Sequence, residues 1–198
     1  MTDRRWRFPP ELRTMSVVPR WSIVWTLQRD TVANHTYFVT FYAHAIAHLI
    51  KWDGDLGALL FRALVHDAEE CISGDIVSPI KDEIVSDRAY AFLQLKLKER
   101  MPFVVRDLET AAADDGDWDE EAWRIIKSAD KLDALIFLLT ERRLGNGVVA
   151  THLPRAWARA EAYWRALPAE KDVINELWNT VVVPAVKAHE TEGGAGLL

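Results

Sequence analysis

The sequence predicts an all-α fold built as one domain over residues 1–198. Apolar residues recur every three or four positions in several long stretches, as they do on one face of a helix. We find no stretch that alternates apolar and polar residues in the manner of a half-buried strand. The length suits a single domain, and 49% of the residues are apolar, which is enough for a sizeable core.

Each helix is predicted from its apolar period and from the residues at its ends. Asp30 or Thr31 is placed to cap the first helix, Pro102 follows the third, and Gly145 follows the fifth. Residues 1–15 are expected to form an extended arm, and residues 191–198 a flexible tail. The predicted helices span residues 32–51, 56–71, 83–100, a short stretch up to 113, 120–144, 154–166 and 169–187.

The composition excludes several classes of function. The formal net charge is −6 and the pI about 5.5, whereas a protein that binds duplex nucleic acid presents a basic face. The single cysteine, Cys71, rules out an intrachain disulfide and suits a reducing cytosol. No apolar run approaches the roughly 20 residues of a membrane-spanning helix, and the N-terminus lacks the apolar core of a signal peptide. We therefore expect a cytoplasmic protein that binds neither nucleic acid nor a membrane.

The stretch 63–81 carries the strongest chemical signal. His66 and Asp67 end an apolar run, where an unpaired charge would be costly to bury, and a metal ion is a partner that suits both. If the helix continues, Glu70 shares their face. Asp75 and Lys81 follow on a loop. The stretch thus combines a candidate metal site, an acid/base residue and a cation for phosphate. Taken alone, the His-Asp pair would be explained by a helix end with solvated carboxylates and a capping histidine.

Two further residues of the ligand type lie on other predicted helices. His35 falls in the first turn of helix 32–51, and Asp130 lies within the apolar stripe of helix 120–144. His44 and His48 have a zinc-type spacing but no acidic residue between them, so packing is the favoured interpretation. Nitrogen and oxygen ligands without thiolate suit one Mn²⁺, Co²⁺, Fe²⁺, Ni²⁺ or Zn²⁺ ion and do not select among them.

The order His, then His-Asp, then Asp resembles that of the HD-domain metal phosphohydrolases. More specifically, the chain resembles the bacterial 5′-deoxynucleotidases of that superfamily over residues 18–140. One departure is Asn34, where the family often has a carboxylate. The matching segments are Arg20-Trp21, Asn34-His35-Thr36, Ala43-His44-Ala45, His66-Asp67-Ala68-Glu69-Glu70, Ser73-Gly74-Asp75, Pro79-Ile80-Lys81 and Ser128-Ala129-Asp130.

The resemblance implies a single compact HD-domain helical bundle and a role for each matching residue. The metal ligands would be His35, His66, Asp67 and Asp130. Glu70 and Asp75 would be catalytic, with Glu70 handling a proton and Asp75 orienting water or a neighbour. Arg20, Trp21 and Lys81 would bind substrate, the two cations at the phosphate and Trp21 against the sugar. The implied substrate is a 2′-deoxyribonucleoside 5′-monophosphate.

Two alternatives stay open at this stage. Phage HD enzymes of similar length and motif release triphosphate from dATP, and the same metal site would serve that reaction. A catalytically silent metal-binding HD module is the second, but such a module has no need of Glu70, Asp75, Arg20 and Lys81.

The family resemblance also points to a homodimer or larger homo-oligomer. The C-terminal half adds tryptophans that could lie at a subunit contact, where aromatic residues are enriched. These tryptophans are Trp118, Trp123, Trp157, Trp164 and Trp178.

Overall fold

The computed structural model describes residues 10–77, 87–100 and 116–191. Within these ranges the regular structure is helical, with one isolated bridge between Pro19 and Thr31, and the all-α prediction is confirmed. Two 3-10 helices, Pro10–Ser16 and Gly147–Thr151, and a π-helical segment, Trp178–Val182, accompany the α-helices. The α-helices are α1 Val32–Leu49, α2 Leu56–Val65, α3 Glu70–Ser73, α4 Asp87–Arg100, α5 Gly116–Arg143, α6 Leu153–Trp164, α7 Lys171–Leu177 and α8 Val183–Thr191.

Helices α1 and α5 form the centre of the molecule. They pack against each other, α2 packs against α1, and α6 and α8 pack against α5. The buried residues of the central pair include Val39 and Ile46 from α1 and Ile125, Ile126 and Ala129 from α5. Every ligand predicted outside the 63–81 stretch lies on α1 or α5, so the central pair of helices carries these residues.

The start of the chain differs from the predicted extended arm. Residues 10–16 form a 3-10 helix, in which side chains three positions apart align on one side. Leu12 and Met15 have that spacing, and Met15 is buried. Leu12 packs against a small cluster of Val65, Ala68 and Leu97, so burial of apolar side chains explains the helical turn. Residues 1–9 and the tail after residue 191 lie outside the described residues.

The aromatic residues of the C-terminal half lie mostly in the core. Trp164 and Trp178 are 2% and 3% exposed, and Trp157 packs edge-on against Trp178 with ring centroids 5.2 Å apart. Surplus aromatic surface is therefore the wrong interpretation for these three, and Trp123 alone of the four described tryptophan side chains of this half is largely exposed. Among the described helices, none combines the length and apolar character needed to cross a membrane.

Candidate metal centre and adjoining pocket

The helix predicted over residues 56–71 is broken at the His-Asp pair. Helix α2 ends at Val65, and α3 begins at Glu70. Between them the hydrogen bonds tighten from the i→i−4 to the i→i−3 pattern, with Ala68 N donating to Val65 O and Glu70 N to Asp67 O, both at 3.0 Å. The prediction of one continuous helix was wrong because the chain tightens here before α3.

His35 is fixed by the N-terminal turn of α1 and by a carboxylate of α5. The Thr31 side chain caps α1 by accepting from Asn34 N, which places His35 in the first turn. The ring is 1% exposed, and its Nδ1 lies 2.6 Å from Asp133 Oδ2. A carboxylate only accepts hydrogen bonds, so Nδ1 donates, and the lone pair is on Nε2. Burial and the nearby Arg20 lower the pKa of His35, which favours the neutral ring.

His66 is oriented in the same way by a backbone carbonyl. Its Nδ1 lies 2.7 Å from Ala63 O, and a carbonyl oxygen can only accept. Nδ1 therefore carries the proton and donates, which leaves Nε2 with its lone pair. In both histidines Nε2 is thus the nitrogen available to ligate a metal. The hydrogen bond that Nδ1 donates fixes this tautomer.

The two Nε2 atoms converge on two carboxylates. His35 Nε2 lies 3.6 Å from Asp67 Oδ2 and 3.5 Å from Asp130 Oδ1, and His66 Nε2 lies 3.3 Å from Asp67 Oδ2. Ligand atoms of His35, His66 and Asp130 all lie within 4.8 Å of one another. Both Nε2 atoms are buried and have no hydrogen-bond partner among the described residues. Ligands about 2 Å from a shared ion would have spacings of this order, so His35, His66 and Asp130 fit a divalent cation. Asp67 lies beside both imidazoles but is not part of this group of three.

The electrostatics of the cluster also suit a cation. Burial raises the pKa of Asp130, but the nearby Lys131, His35 and Lys127 outweigh this effect and hold the pKa well below its usual range. The Lys131 ammonium lies 2.8 Å from Asp130 Oδ2. Burial lowers the pKa of His66, but Asp67 more than offsets this and raises it. Ionised carboxylates facing two imidazoles form a site that a positive ion would stabilise.

A pocket of about 250 Å³ adjoins the cluster at Asp130. Its walls come from the segment before α1, the residues after α3, and one face each of α5 and α6. The lining residues are Arg20, Trp21, Ile23, Val24, Asp75, Val77, Asp130, Lys131, Ala134, Leu138, His152, Arg155, Ala156 and Arg159. Apolar side chains beside several charged ones suit a small ligand that is part apolar and part ionic.

Arg20 lies in this pocket within a network of carboxylates. Its Nη1 donates to Asp30 Oδ2 at 3.1 Å and to Asp133 Oδ2 at 3.4 Å. Despite burial, these carboxylates raise the pKa of Arg20 further. Asp133 therefore contacts both the pocket arginine and His35, which links the pocket to the metal-type cluster.

Trp21 is the second pocket residue that the motif predicted. Its ring stacks on Phe137 with centroids 5.4 Å apart and planes 12° from parallel, and its Nε1 donates to Asp30 Oδ2 at 3.3 Å. The backbone has φ +61°, a conformation that a residue other than glycine adopts at a cost of order 1–3 kcal/mol. The surroundings thus hold Trp21 with one face against Phe137.

The other predicted site residues are placed differently. Glu70 opens α3 and is 4% exposed, and Asp75 lines the pocket. Lys81 lies outside the described residues. His44 and His48 contact each other edge-on with centroids 5.0 Å apart, and neither belongs to the metal-type cluster.

A family model for 5′-deoxynucleotidases of the YfbR type matches residues 7–162. The chain belongs to this YfbR-like family. It is 31% identical over 160 residues to the 5′-deoxynucleotidases YfbR of Salmonella paratyphi B and Salmonella enteritidis, an alignment that covers 75% of this chain and 80% of each relative.

Solved structures agree with this YfbR-like family at the level of the fold. The HD phosphohydrolase DatZ of cyanophage S-2L, bound to dA and one catalytic Zn²⁺ ion, matches with a TM-score of 0.70 and 20% identity over 93% of this chain and 99% of its own. An HD-domain phosphohydrolase of Listeria innocua matches with a TM-score of 0.64 and 17% identity, covering 92% and 88%. The HD-domain bundle expected from the sequence is confirmed.

In this YfbR-like chain, sequence reasoning missed Asp133 and the basic residues of α6. Asp133 follows Asp130 by three residues on a helix, so the spacing alone indicates that both share a face. Arg155 and Arg159 have the corresponding four-residue spacing. No local signal shows that their face of α6 meets the pocket, because this depends on how α6 packs against α5.

Proposed function

We propose that the chain is a metal-dependent phosphohydrolase that removes the 5′-phosphate from 2′-deoxyribonucleoside monophosphates. The observation that carries the proposal is the pair of buried Nε2 atoms that face Asp67 and Asp130 beside the pocket of Arg20 and Trp21. The YfbR relatives are 5′-deoxynucleotidases, which supports the same substrate class.

The metal would be one divalent transition ion held by His35, His66, Asp67 and Asp130. Such an ion supplies Lewis-acid chemistry, acidifying water and withdrawing charge from a phosphate oxygen. The ligand types do not select among Mn²⁺, Co²⁺, Fe²⁺, Ni²⁺ and Zn²⁺. The hydrogen bonds of the two imidazole rings support this ligand set. Each Nδ1 already donates to a protein oxygen, so Nε2 is the atom available to the metal.

Glu70 and Asp75 are proposed as the acid/base residues. Glu70 follows the Asp67 ligand by one tight turn, and it would take up the proton of the attacking water or deliver one to the departing 5′-oxygen. Asp75 lines the pocket and would orient water or a neighbouring group. Lys81 is proposed to add positive charge at the phosphate, a role that rests on the motif alone.

Arg20 and Trp21 are proposed to select the substrate. A guanidinium has five N–H donors, so Arg20 can hold Asp30 and Asp133 and still donate to a phosphate oxygen. Trp21 has its one donor directed at Asp30, so its ring offers nothing to a hydroxyl group. A 2′-hydroxyl packed on that ring would lose its water without gaining a partner, which disfavours ribose.

Hydrolysis of a deoxynucleoside triphosphate is the second candidate. DatZ, the structural neighbour bound to dA, supports it at the level of a shared fold and a deoxynucleoside ligand. Both reactions break the bond between the 5′-oxygen and the adjacent phosphorus, so one metal centre could perform either. A silent metal-binding module is the weakest candidate, because two of the predicted substrate residues, Arg20 and Trp21, line a pocket beside the cluster.

One assay separates the three. The metal-loaded chain is incubated with each dNMP and each dNTP, and phosphate and triphosphate are identified by chromatography. We expect phosphate from dNMPs, with activity lost on chelation and absent in His66→Ala. Triphosphate from dNTPs alone would establish the second candidate, and no product from either set would leave the silent module.

We infer a homo-oligomer in the cytoplasm as the working form. Tyr37, Phe38 and Phe41 on α1 are 63%, 45% and 62% exposed, which is unusual apolar surface for a helix that otherwise packs in the core. A mass of two or more chains by light scattering at micromolar concentration is the expected result. A single-chain mass would contradict the inference.

A further inference from the structure

The pocket has a row of basic side chains on the wall formed by α6 and the residue before it. Helix α6 supplies Arg155 and Arg159, one turn apart, and His152 directly before the helix. The proposed hydrolysis of a monophosphate gives these residues no task.

The direction of the row follows from how α6 lies on α5. Ser128 Oγ donates to Tyr163 O at 2.9 Å, and the Lys131 ammonium lies 5.8 Å from the Tyr163 ring. The two helices therefore meet near the metal ligand Asp130 at the C-terminal end of α6. Arg159 is the nearer of the pair to that point, and Arg155 lies about 6 Å further along the helix axis. The row thus leads away from the metal centre.

The charges of the pocket show what this row adds. Arg20 contacts Asp30 and Asp133, and Lys131 contacts Asp130. Arg155 and Arg159 bring two more guanidinium groups to a pocket in which Asp75 and Asp130 are the acidic residues among the described lining. Guanidinium groups in a row one turn apart suit an anion whose charges are spread along a chain.

We propose that the α6 row is a binding subsite for phosphate groups beyond the one at the metal, so that the pocket takes deoxynucleoside di- and triphosphates as ligands. This inference rests on the proposed function, because it assumes that the first phosphate lies at the metal centre. The apolar lining residues Ile23 and Val24 remain for the nucleoside. Successive phosphates of such a chain are closer together than one helical turn, so two or three of them can reach Arg159 and Arg155.

The test is calorimetric binding to the metal-loaded full-length chain, with the same metal salt in cell and syringe to cancel chelation. The probes are the mono- and triphosphate of 2′-deoxyadenosine in which a methylene group replaces the 5′-oxygen, because neither can be cleaved at that bond. We expect wild type to bind the triphosphate probe at least about tenfold tighter, the value of one charge-assisted hydrogen bond.

The variants are Arg155→Gln, Arg159→Gln and the double substitution. The double variant should bring the affinity ratio of the two probes close to one and leave the monophosphate affinity within about threefold, since its first phosphate lies at the metal. Arg155→Gln changes an exposed side chain and should fold normally, so it keeps the test decisive if the double variant does not. Arg124→Gln is the matched control, because Arg124 is exposed on α5 and pairs at the surface with Glu120.

Two results would overturn the subsite. Equal affinity of wild type for both probes would show that the row does not contact further phosphates. Equal weakening of both probes in the double variant would show that the row contacts the nucleoside instead. Phosphate release from dAMP by wild type is measured separately, so failure of the proposed hydrolysis is seen there and does not alter the ratio obtained with uncleavable probes.

Discussion

Asp133 Oδ2 lies 2.6 Å from Nδ1 of His35, and this contact determines which nitrogen of the ring faces the metal centre. Such carboxylate partners hold a ligating imidazole in one tautomer and one orientation. Asp133 is itself 6% exposed and also accepts from Arg20. A displacement of Arg20 would therefore change the position of His35, a proposed metal ligand, through this single carboxylate.

Removal of the Asp133 carboxylate should weaken metal binding without removing any of the four ligands. We expect Asp133→Ala to lower the affinity for Mn²⁺ or Co²⁺ by about 10–100-fold, the usual effect of losing such a partner, with Asp133→Asn in between. Isothermal titration with the metal measures it. Asp53→Ala, at an exposed aspartate in the turn before α2, is the control and should match wild type. Equal affinities for Asp133→Ala and wild type would contradict the role.

Glu70 should be needed for turnover and dispensable for the metal. We expect Glu70→Ala to retain the ion, because its four ligands are unchanged, and to lose about 10²–10⁴-fold in kcat, the contribution of a positioned acid/base group. Elemental analysis and phosphate release from dAMP are the two measurements. Glu99→Ala removes a surface carboxylate that pairs with Lys96 and serves as the control. Near-normal turnover of Glu70→Ala would remove Glu70 from the mechanism.

The proposed metal ligands could be predicted from sequence because their residue types are unusual in their positions. His66, Asp67 and Asp130 interrupt apolar surroundings, and an unpartnered polar group there would be destabilising. Asp133 also interrupts apolar residues, one turn beyond Asp130. In sequence, however, it is equally consistent with the polar edge of an amphipathic helix. Its role depends on α1 and α5 packing together, which no local pattern encodes.

The break after Val65 and the α6 row are two further features that local sequence patterns do not predict. Helical period and propensity continue through His66 and Asp67, so only tertiary packing decides that the chain tightens there. Arg155 and Arg159 look like a solvated face in sequence. Their place in the pocket follows from the contact of α6 with α5 at Ser128 and Tyr163.

Discrimination between deoxyribose and ribose should depend on Trp21. Loss of water from a 2′-hydroxyl without a new partner costs about 1–3 kcal/mol, which corresponds to roughly a 5–150-fold preference for the deoxy substrate. Trp21→Ala should reduce the ratio of kcat/KM for dAMP over AMP and leave metal content unchanged, whereas Arg20→Ala should weaken both substrates alike. Trp123→Ala, at an exposed tryptophan of α5, is the aromatic control. Wild-type hydrolysis of AMP as fast as dAMP, or an unchanged ratio in Trp21→Ala, would show that Trp21 does not select the sugar.

Glu141 holds the chain segment that forms the Trp21 side of the pocket. Its carboxylate is 0% exposed and accepts from the backbone amides of Leu27 and Gln28, the latter at 2.7 Å, and from Asn146 Nδ2, also at 2.7 Å. Asn146 in turn donates to Trp25 O at 2.8 Å. The end of α5 thereby holds residues 25–28 of the segment that begins at Arg20 and Trp21, so we expect Glu141 to influence the pocket through this segment.

Replacement of this carboxylate should therefore affect binding more than chemistry. In Glu141→Gln one acceptor oxygen becomes a donor that faces backbone amides, which should cost about 1–3 kcal/mol of folding free energy. If substrate binding must then order the loosened segment, it loses a free energy similar to this folding cost. We therefore expect KM for dAMP to rise by about tenfold or more, while kcat and metal content stay close to wild type. Steady-state kinetics and a thermal melt measure the two effects, and Glu176→Gln, at an exposed glutamate of α7, is the control. A melt that falls while KM stays constant would make Glu141 a stabilising residue alone, because a segment that positions Trp21 cannot be loosened without weakening the substrate complex.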